Sequence, residues 1–253
     1  MVWKYDENFY KSVRNRGFEA SEVVLRILSD YFSPASIIDY GCGLGTWTFT
    51  AGKQFPEANT MGLDLNTTQL NEVTASKKFS NIRFNTINFE ENNTVYNKCD
   101  LAICLEVVEH ISLEQAKLHI ARMCNSSNII LFSGAVKGQG GTGHINEQSI
   151  EYWVNQFKAL RWIPLDIIRP EISKNKNLPN YYRNNILVFV PIEDLELIWK
   201  DINNPSVREK FLRQLGLAND IRSLKTKVLH SLVSKLSVEL VSTIASIKDK
   251  FQV

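Results

Sequence analysis

Short apolar runs rich in β-branched residues recur along the chain, at 36–39 (SIID), 60–65 (TMGLDL), 82–87 (IRFNTI), 100–105 (DLAICL) and 128–133 (NIILFS). They are nearly continuously apolar rather than alternating, the pattern of strands buried on both faces. Between them the period changes. Residues 19–31 place Val23, Val24, Ile27, Leu28 and Tyr31 on one stripe, which predicts a helix. Residues 112–124 open on Ser112 with Glu114 and Gln115 in the first turn, an N-terminal capping signature. Strand alternating with helix at this spacing predicts an α/β fold, a mostly parallel sheet with helices on both faces. Beyond a glycine-rich stretch (GAVKGQGGTGHINEQ), a helix is expected with Ile150, Trp153, Val154 and Phe157 facing inward. Two further apolar runs, 162–168 and 184–190, predict an antiparallel closing hairpin with a long polar connection, which brings the sheet to seven strands.

The pattern changes again at Pro191. Residues 191–253 carry no strand signal, so the chain divides into an α/β domain, 1–190, and a helical C-terminal extension, 191–253. Two short helices are read in the first part of the extension, broken at Asn203, Asn204 and Pro205. From Ile221 onward, Leu224, Val228, Leu232, Leu236, Leu240, Ile244 and Ile247 keep a spacing of three to four, on a helix that also carries several lysines. The plain reading of 221–251 is a helix packed on the domain or on a second subunit, as in a homo-oligomer. The sharper alternative is a basic amphipathic helix on an anionic membrane surface, which the single aromatic Phe251 weakens.

Composition narrows this picture only a little. The 253 residues, 44% of them hydrophobic, suffice for one sizeable core with a small extension. Charge is nearly balanced, 29 basic against 27 acidic residues, so nothing in it asks for a nucleic-acid partner. The four cysteines (Cys42, Cys99, Cys104 and Cys124) show no metal-type pairing and no disulfide framework. No metal site is read from the sequence. The N-terminus lacks an apolar signal-type segment, no run of about 18 apolar residues occurs, and the expected compartment is the cytoplasm.

Candidate chemistry begins at IIDYGCGLGTW, residues 37–47, where three glycines alternate after a strand and before a helix expected near Thr46. Such bare backbone serves a tight turn, a phosphate cradle, or a pocket whose ligand lies against the main chain. A dinucleotide turn, G-x-G-x-x-G, would need glycine where Thr46 stands, and a P-loop would need Gly-Lys-Ser/Thr, which is missing. Asp64, at the end of the next strand, stands where a carboxylate meets ribose hydroxyls in α/β nucleotide folds. A ribose without a pyrophosphate cradle is thus the better fit.

With DYGCGLGTW, GLDLN (62–66) and DLAICLEVVEHI (100–111) in this order, the region 17–190 resembles the class I S-adenosylmethionine-dependent methyltransferases, which have a Rossmann-like fold. The resemblance implies S-adenosylmethionine as cofactor, with Gly41, Gly43 and Gly45 admitting its methionine and ribose portions. It implies that Asp64 accepts from the ribose hydroxyls, that Leu65 packs on the adenine, and that Asp39 orients the glycine loop near the ligand's ammonium. Asn88, followed by Phe89, stands where the family often has an acidic residue facing the adenine amine. Glu106 sits near the sulfonium end. Residues 1–16 are similar to segments that fold over the donor in related enzymes, with Tyr5, Tyr10 and Arg14 as candidate lid residues.

The acceptor side is read from the loop after the fifth strand. Of four histidines, His119 falls within a helix and His230 in the tail, which leaves His110 and His144. GTGHINEQ is similar to the corresponding stretch of methyltransferases associated with polysaccharide and glycan biosynthesis. This implies a sugar, glycan or other small hydroxylated acceptor, with His144 as base or orienter and Asn146 and Glu147 as hydroxyl-binding groups. Glu106, His110 and His144 form the candidate catalytic set. The competing reading is structural: Glu109 and His110 cap one helix, and Asn146 caps the next. The alternatives in function are N-methylation of a small amine, a non-catalytic donor-binding scaffold, and an NAD(P)-dependent oxidoreductase, the last opposed by the glycine spacing.

Overall fold

A single sheet of seven strands organises the computed structural model, which describes residues 7–68, 70, 80–91, 94–195, 198, 204–207 and 210, with side chains from Gly17 onward. The strands are β1 (Ser36–Tyr40), β2 (Asn59–Asp64), β3 (Ile82–Thr86), β4 (Cys99–Leu105), β5 (Ser127–Ser133), β6 (Trp162–Leu165) and β7 (Leu187–Pro191). Their order across the sheet is β3-β2-β1-β4-β5-β7-β6. The five strands from β3 to β5 pair in parallel. Only β7 runs the other way, antiparallel to both β5 and β6. The chain builds outward from β1 to β2 and β3, then crosses to β4 on the other side. The carboxyl ends of β1 and β4 therefore flank a topological switch point, where ligands bind in open α/β sheets.

Both faces are covered. Helices α1 (Glu7–Ser29) and α2 (Thr46–Gln54) lie on one side, where Val24, Leu28 and Ala51 are buried with Ile37, Leu101, Ile103 and Val188. On the other side α3 (Leu113–Ser126) and α4 (Ile150–Ala159) bury Ala116, Ile120, Met123, Trp153 and Phe157 against Ile38, Ala102, Cys104 and Phe132. Consecutive residues of one strand, such as Ile37 and Ile38, thus feed opposite cores. That is why the strands read as unbroken apolar runs.

Several expectations shift in detail. α1 starts at Glu7, so residues 7–16, read as a lid, are its first turns; Tyr5 lies outside the described residues. The N-cap of α3 is Ser112, which accepts from the Gln115 amide, and that of α4 is Ser149, which accepts from the Tyr152 amide. Asn146, offered as the cap of α4 in the structural reading, is three residues too early. The polar connection of the hairpin contains two short helices, α5 (Arg169–Ile172) and α6 (Asn180–Asn185), tied down by buried Ile172, Leu178 and Tyr182. Past Pro191, Ile192, Leu195, Ile198 and Val207 are buried in the same core as α1 and α2. The amphipathic stretch 221–251 lies outside the described residues. No helix among the described residues is long and apolar enough to cross a membrane.

Candidate active site

The glycine turn leaves β1 and folds back onto the end of β2. The amides of Gly41 and Cys42 donate to the Leu63 carbonyl, at 2.7 and 3.0 Å. The Gly43 amide donates to Asp64 Oδ2 at 2.8 Å, and Asp64 Oδ1 accepts from the Leu65 amide at 2.7 Å. Gly41, Gly43 and Gly45 all have positive φ, and Gly45 is the left-handed N-cap of α2. Two of the glycines do different work. A Cβ on Gly41 would stand 2.4 Å from Val107 Cγ2, so this glycine lets the β1 and β4 ends approach. A Cβ on Gly43 would meet nothing within 4 Å, so that position opens outward.

Asp64 is well placed for the ribose role. Each of its oxygens takes one backbone N–H and retains lone-pair capacity for a further donor. Leu65 is 63% exposed and Leu44 49% exposed, apolar surface carried by the same two turns. The Asp64 carboxylate thus keeps acceptor capacity beside exposed apolar side chains.

Asp39 acts differently from the expectation. It is buried on β1 and accepts not from the glycine loop but from Thr48 Oγ1 on α2, at 2.6 Å. Burial pushes its pKa up to about 7; the Thr48 hydrogen bond opposes the shift and the neighbouring Asp64 charge adds to it. Asn88 uses its side-chain carbonyl to accept from the Glu90 amide and its amide to donate to Glu91, leaving one carbonyl lone pair. Phe89 faces the core, packed 4.8 Å from the His119 ring and 6.4 Å from Tyr40. An aromatic ring there fills the space between β1 and α3 and is not presented to a donor base.

The second half of the site is built where β4 ends. Glu106 has φ 56, a left-handed conformation that is uncommon for a residue with a Cβ. It turns the chain into the short 3-10 segment Val108–His110. The Glu106 carboxylate accepts from Gln139 Nε2 at 2.6 Å through Oε2, while its Oε1 is buried without a hydrogen bond. Glu109 is fully buried and neither of its oxygens has a hydrogen-bond partner. Backbone amides of Glu109 and Ala135 face it from outside hydrogen-bond geometry. Burial raises both carboxyl pKa values, and the charge of Glu106 raises that of Glu109 further.

The loop after β5 closes over this floor. Amides of Ile145 and Asn146 donate to the Glu109 carbonyl, and Asn146 Nδ2 donates to the Val108 carbonyl at 3.0 Å. Asn146, expected to bind hydroxyls, is buried and holds the loop to the 3-10 turn instead. Glu147 accepts from the Gly138 and Gly140 amides, each at 2.8 Å, and from His144 Nδ1 at 2.8 Å. The His144 bond, then the loop amides, hold its carboxyl below the ordinary glutamate range. His144 is only 12% exposed and meets the His110 ring edge-on at 4.8 Å. Burial and the His144 charge lower the His110 pKa, opposed by a backbone hydrogen bond to Gly143.

The fold thus brings Glu106, His110, His144 and Glu147 to one place, with Asp39, the glycines and Asp64 beside them at the carboxyl edge. Thr48, Val107, Glu109 and Gln139 complete the site and were not assigned to it from sequence. Only Glu109 carried a local signal, its place in EVVEH beside His110.

The chain matches the family model described as "Methyltransferase domain" over residues 32–185. It is similar to the structure of PKMT2 from Rickettsia typhi in complex with AdoHcy, with TM-score 0.52 and 14% identity, covering 73% of this chain and 54% of that one. It is also similar to magnesium protoporphyrin IX methyltransferase from Synechocystis PCC 6803 with bound SAH, with TM-score 0.54 and 17% identity, covering 76% and 90%. An O-methyltransferase family protein from Burkholderia thailandensis matches at TM-score 0.51 and 12% identity, over 71% and 56%. Among curated proteins, the uncharacterized protein RP028 of Rickettsia prowazekii (strain Madrid E) is 28% identical over 83 residues, 32% of this chain and 33% of that protein. The aligned region spans about half of PKMT2 and a third of RP028. The chain belongs to the methyltransferase-domain family and has the fold of S-adenosylmethionine-dependent methyltransferases.

Proposed function

We propose that the protein methylates a hydroxyl of a sugar, glycan or other small hydroxylated acceptor. The observation that carries this reading is the Glu147–His144 pair at the carboxyl edge of the sheet. S-adenosylmethionine supplies a methyl group already activated on a sulfonium, so the protein's main tasks are alignment and removal of one proton. Glu147 accepts from Nδ1 of His144, which selects the tautomer with a lone pair on Nε2 and favours the protonated ring once formed. Nε2 can then take the proton of an acceptor hydroxyl as it attacks. An amine acceptor needs less of this apparatus. O-methyltransferases among the structural neighbours agree with the reading.

The test is an acceptor panel. Full-length protein with S-adenosylmethionine should form S-adenosylhomocysteine with sugars and polyols bearing free hydroxyls. Product with amines alone would overturn the hydroxyl reading. No product with any acceptor, despite S-adenosylhomocysteine binding, would favour a donor-binding scaffold.

Asp39 makes donor binding pH-dependent. With a pKa near 7 it is protonated in the free protein below that pH, and a nearby ligand ammonium favours its ionised form. Binding therefore releases a proton. Affinity for S-adenosylhomocysteine should rise by up to about tenfold per pH unit towards 7 and level off above it. Calorimetry at pH 5.5 to 8 measures the slope, and Asp39→Asn should abolish it. A flat profile in the parent protein would remove Asp39 from the ligand's surroundings.

A further inference from the structure

We propose that Glu109, His110 and His144 bind one divalent first-row transition cation, of the class of Mn2+, Co2+ or Zn2+, at the acceptor end of the cleft. One ligand atom from each of the three lies within 4.8 Å of the others. Donors about 2.1 Å from a shared ion stand roughly 3 to 4.2 Å apart, so the set needs only a small contraction. His110 lies on the exposed side of the set, its ring against that of His144.

Several features separate this cluster from an ordinary surface group of acids and histidines. Glu109 is fully buried with both oxygens lacking a hydrogen bond, and an unpaired carboxylate there is costly unless a cation or a proton meets it. It does not cap a helix, since Ser112 fills that place for α3. Each imidazole already has an orienting partner, the Glu147 carboxylate on Nδ1 of His144 and the Gly143 backbone for His110. Metal-bound histidines are held in this manner, with one nitrogen donating to a carboxylate or carbonyl and the other presenting a lone pair. Glu106 lies beside Glu109, close enough for the two carboxyls to act on one another. Two imidazoles with one carboxylate suit borderline transition cations better than a hard cation, which prefers all-oxygen sites.

The set leaves coordination positions open towards the exposed side of His110. An acceptor hydroxyl bound there would lose its proton more readily, and His144 would then orient the ion rather than act as base. That task rests on the hydroxyl-acceptor reading above; binding of the cation does not.

Metal-free full-length protein should be titrated with Mn2+ and Zn2+ by calorimetry and with Co2+ by visible absorption. One ion per chain is expected. His110→Ala and His144→Ala should each weaken Mn2+ binding at least tenfold, and Glu109→Gln should weaken it about a hundredfold. Glu147→Gln, which touches no metal, should weaken it about 10- to 100-fold. Circular dichroism of each variant guards against loss of fold. Absence of saturable binding to the folded parent protein would overturn the site. So would unchanged affinity in a His110→Ala, His144→Ala double variant that folds. If binding behaves as expected but only amines are methylated, the acceptor reading falls and the cation site stands.

Discussion

Replacing His144 with alanine is expected to lower turnover by about two to four orders of magnitude, the usual contribution of a positioned proton-transfer group. Affinity for S-adenosylhomocysteine should stay within about twofold, because the donor turn and Asp64 share no hydrogen bond with this side chain. Steady-state rates with a hydroxylated acceptor, set beside calorimetric donor binding, separate the two effects. The loss should appear in kcat as well as kcat/KM, since the histidine acts on a group whose charge changes only as methyl transfer proceeds. Turnover within twofold of the parent would exclude His144 as the base, while its place as a metal ligand is decided by the cation titration. Loss of donor affinity together with rate would instead indicate that the 138–147 loop had come apart.

Gly41→Ala should be strongly destabilising. A left-handed φ of 76° costs a residue with a Cβ about 1 to 2 kcal/mol. The new Cβ would also press on Val107 from 2.4 Å, and overpacking of this kind costs about 1 to 3 kcal/mol. The sum, about 3 kcal/mol, corresponds to a fall in Tm of roughly 6 to 12 °C for a domain of this size. Gly43→Ala shares the positive φ but meets no atom, so thermal unfolding should show a much smaller drop. Adding Val107→Ala to Gly41→Ala should recover part of the loss, the part due to contact. A Tm within 2 °C of the parent would show that the β1 and β4 ends are not in contact as described.

What could be read from sequence was what contiguous residues encode. The strand series, the helix at Thr46, the Ser112 cap and the Asp64 position each rest on local spacing, and each lies where expected. The rest depends on contacts between distant segments. Gln139 reaches Glu106 from 33 residues away, and Thr48 reaches Asp39 from the next helix. Neither pairing has a sequence period. Phe89 was assigned to the donor because it stands beside a motif position, yet an aromatic residue after a buried strand is as readily core, and here it is. Asn146 looked like a ligand-binding amide or a cap, whereas the loop needed it to satisfy the Val108 carbonyl. Residues 7–16 show no clear apolar stripe, so their continuity with α1 was not visible.

The short helix α6 sits far from the glycine turn in sequence, yet it touches the chemistry. Asn185 Nδ2 donates to Gln139 Oε1 at 2.9 Å, and Gln139 in turn holds Glu106. On the proposed reading, the hairpin connection therefore supports the acceptor end through Gln139 and Glu106. A change at Asn185 would then reach Glu106 through Gln139, without touching the Asp64 bonds to Gly43 and Leu65.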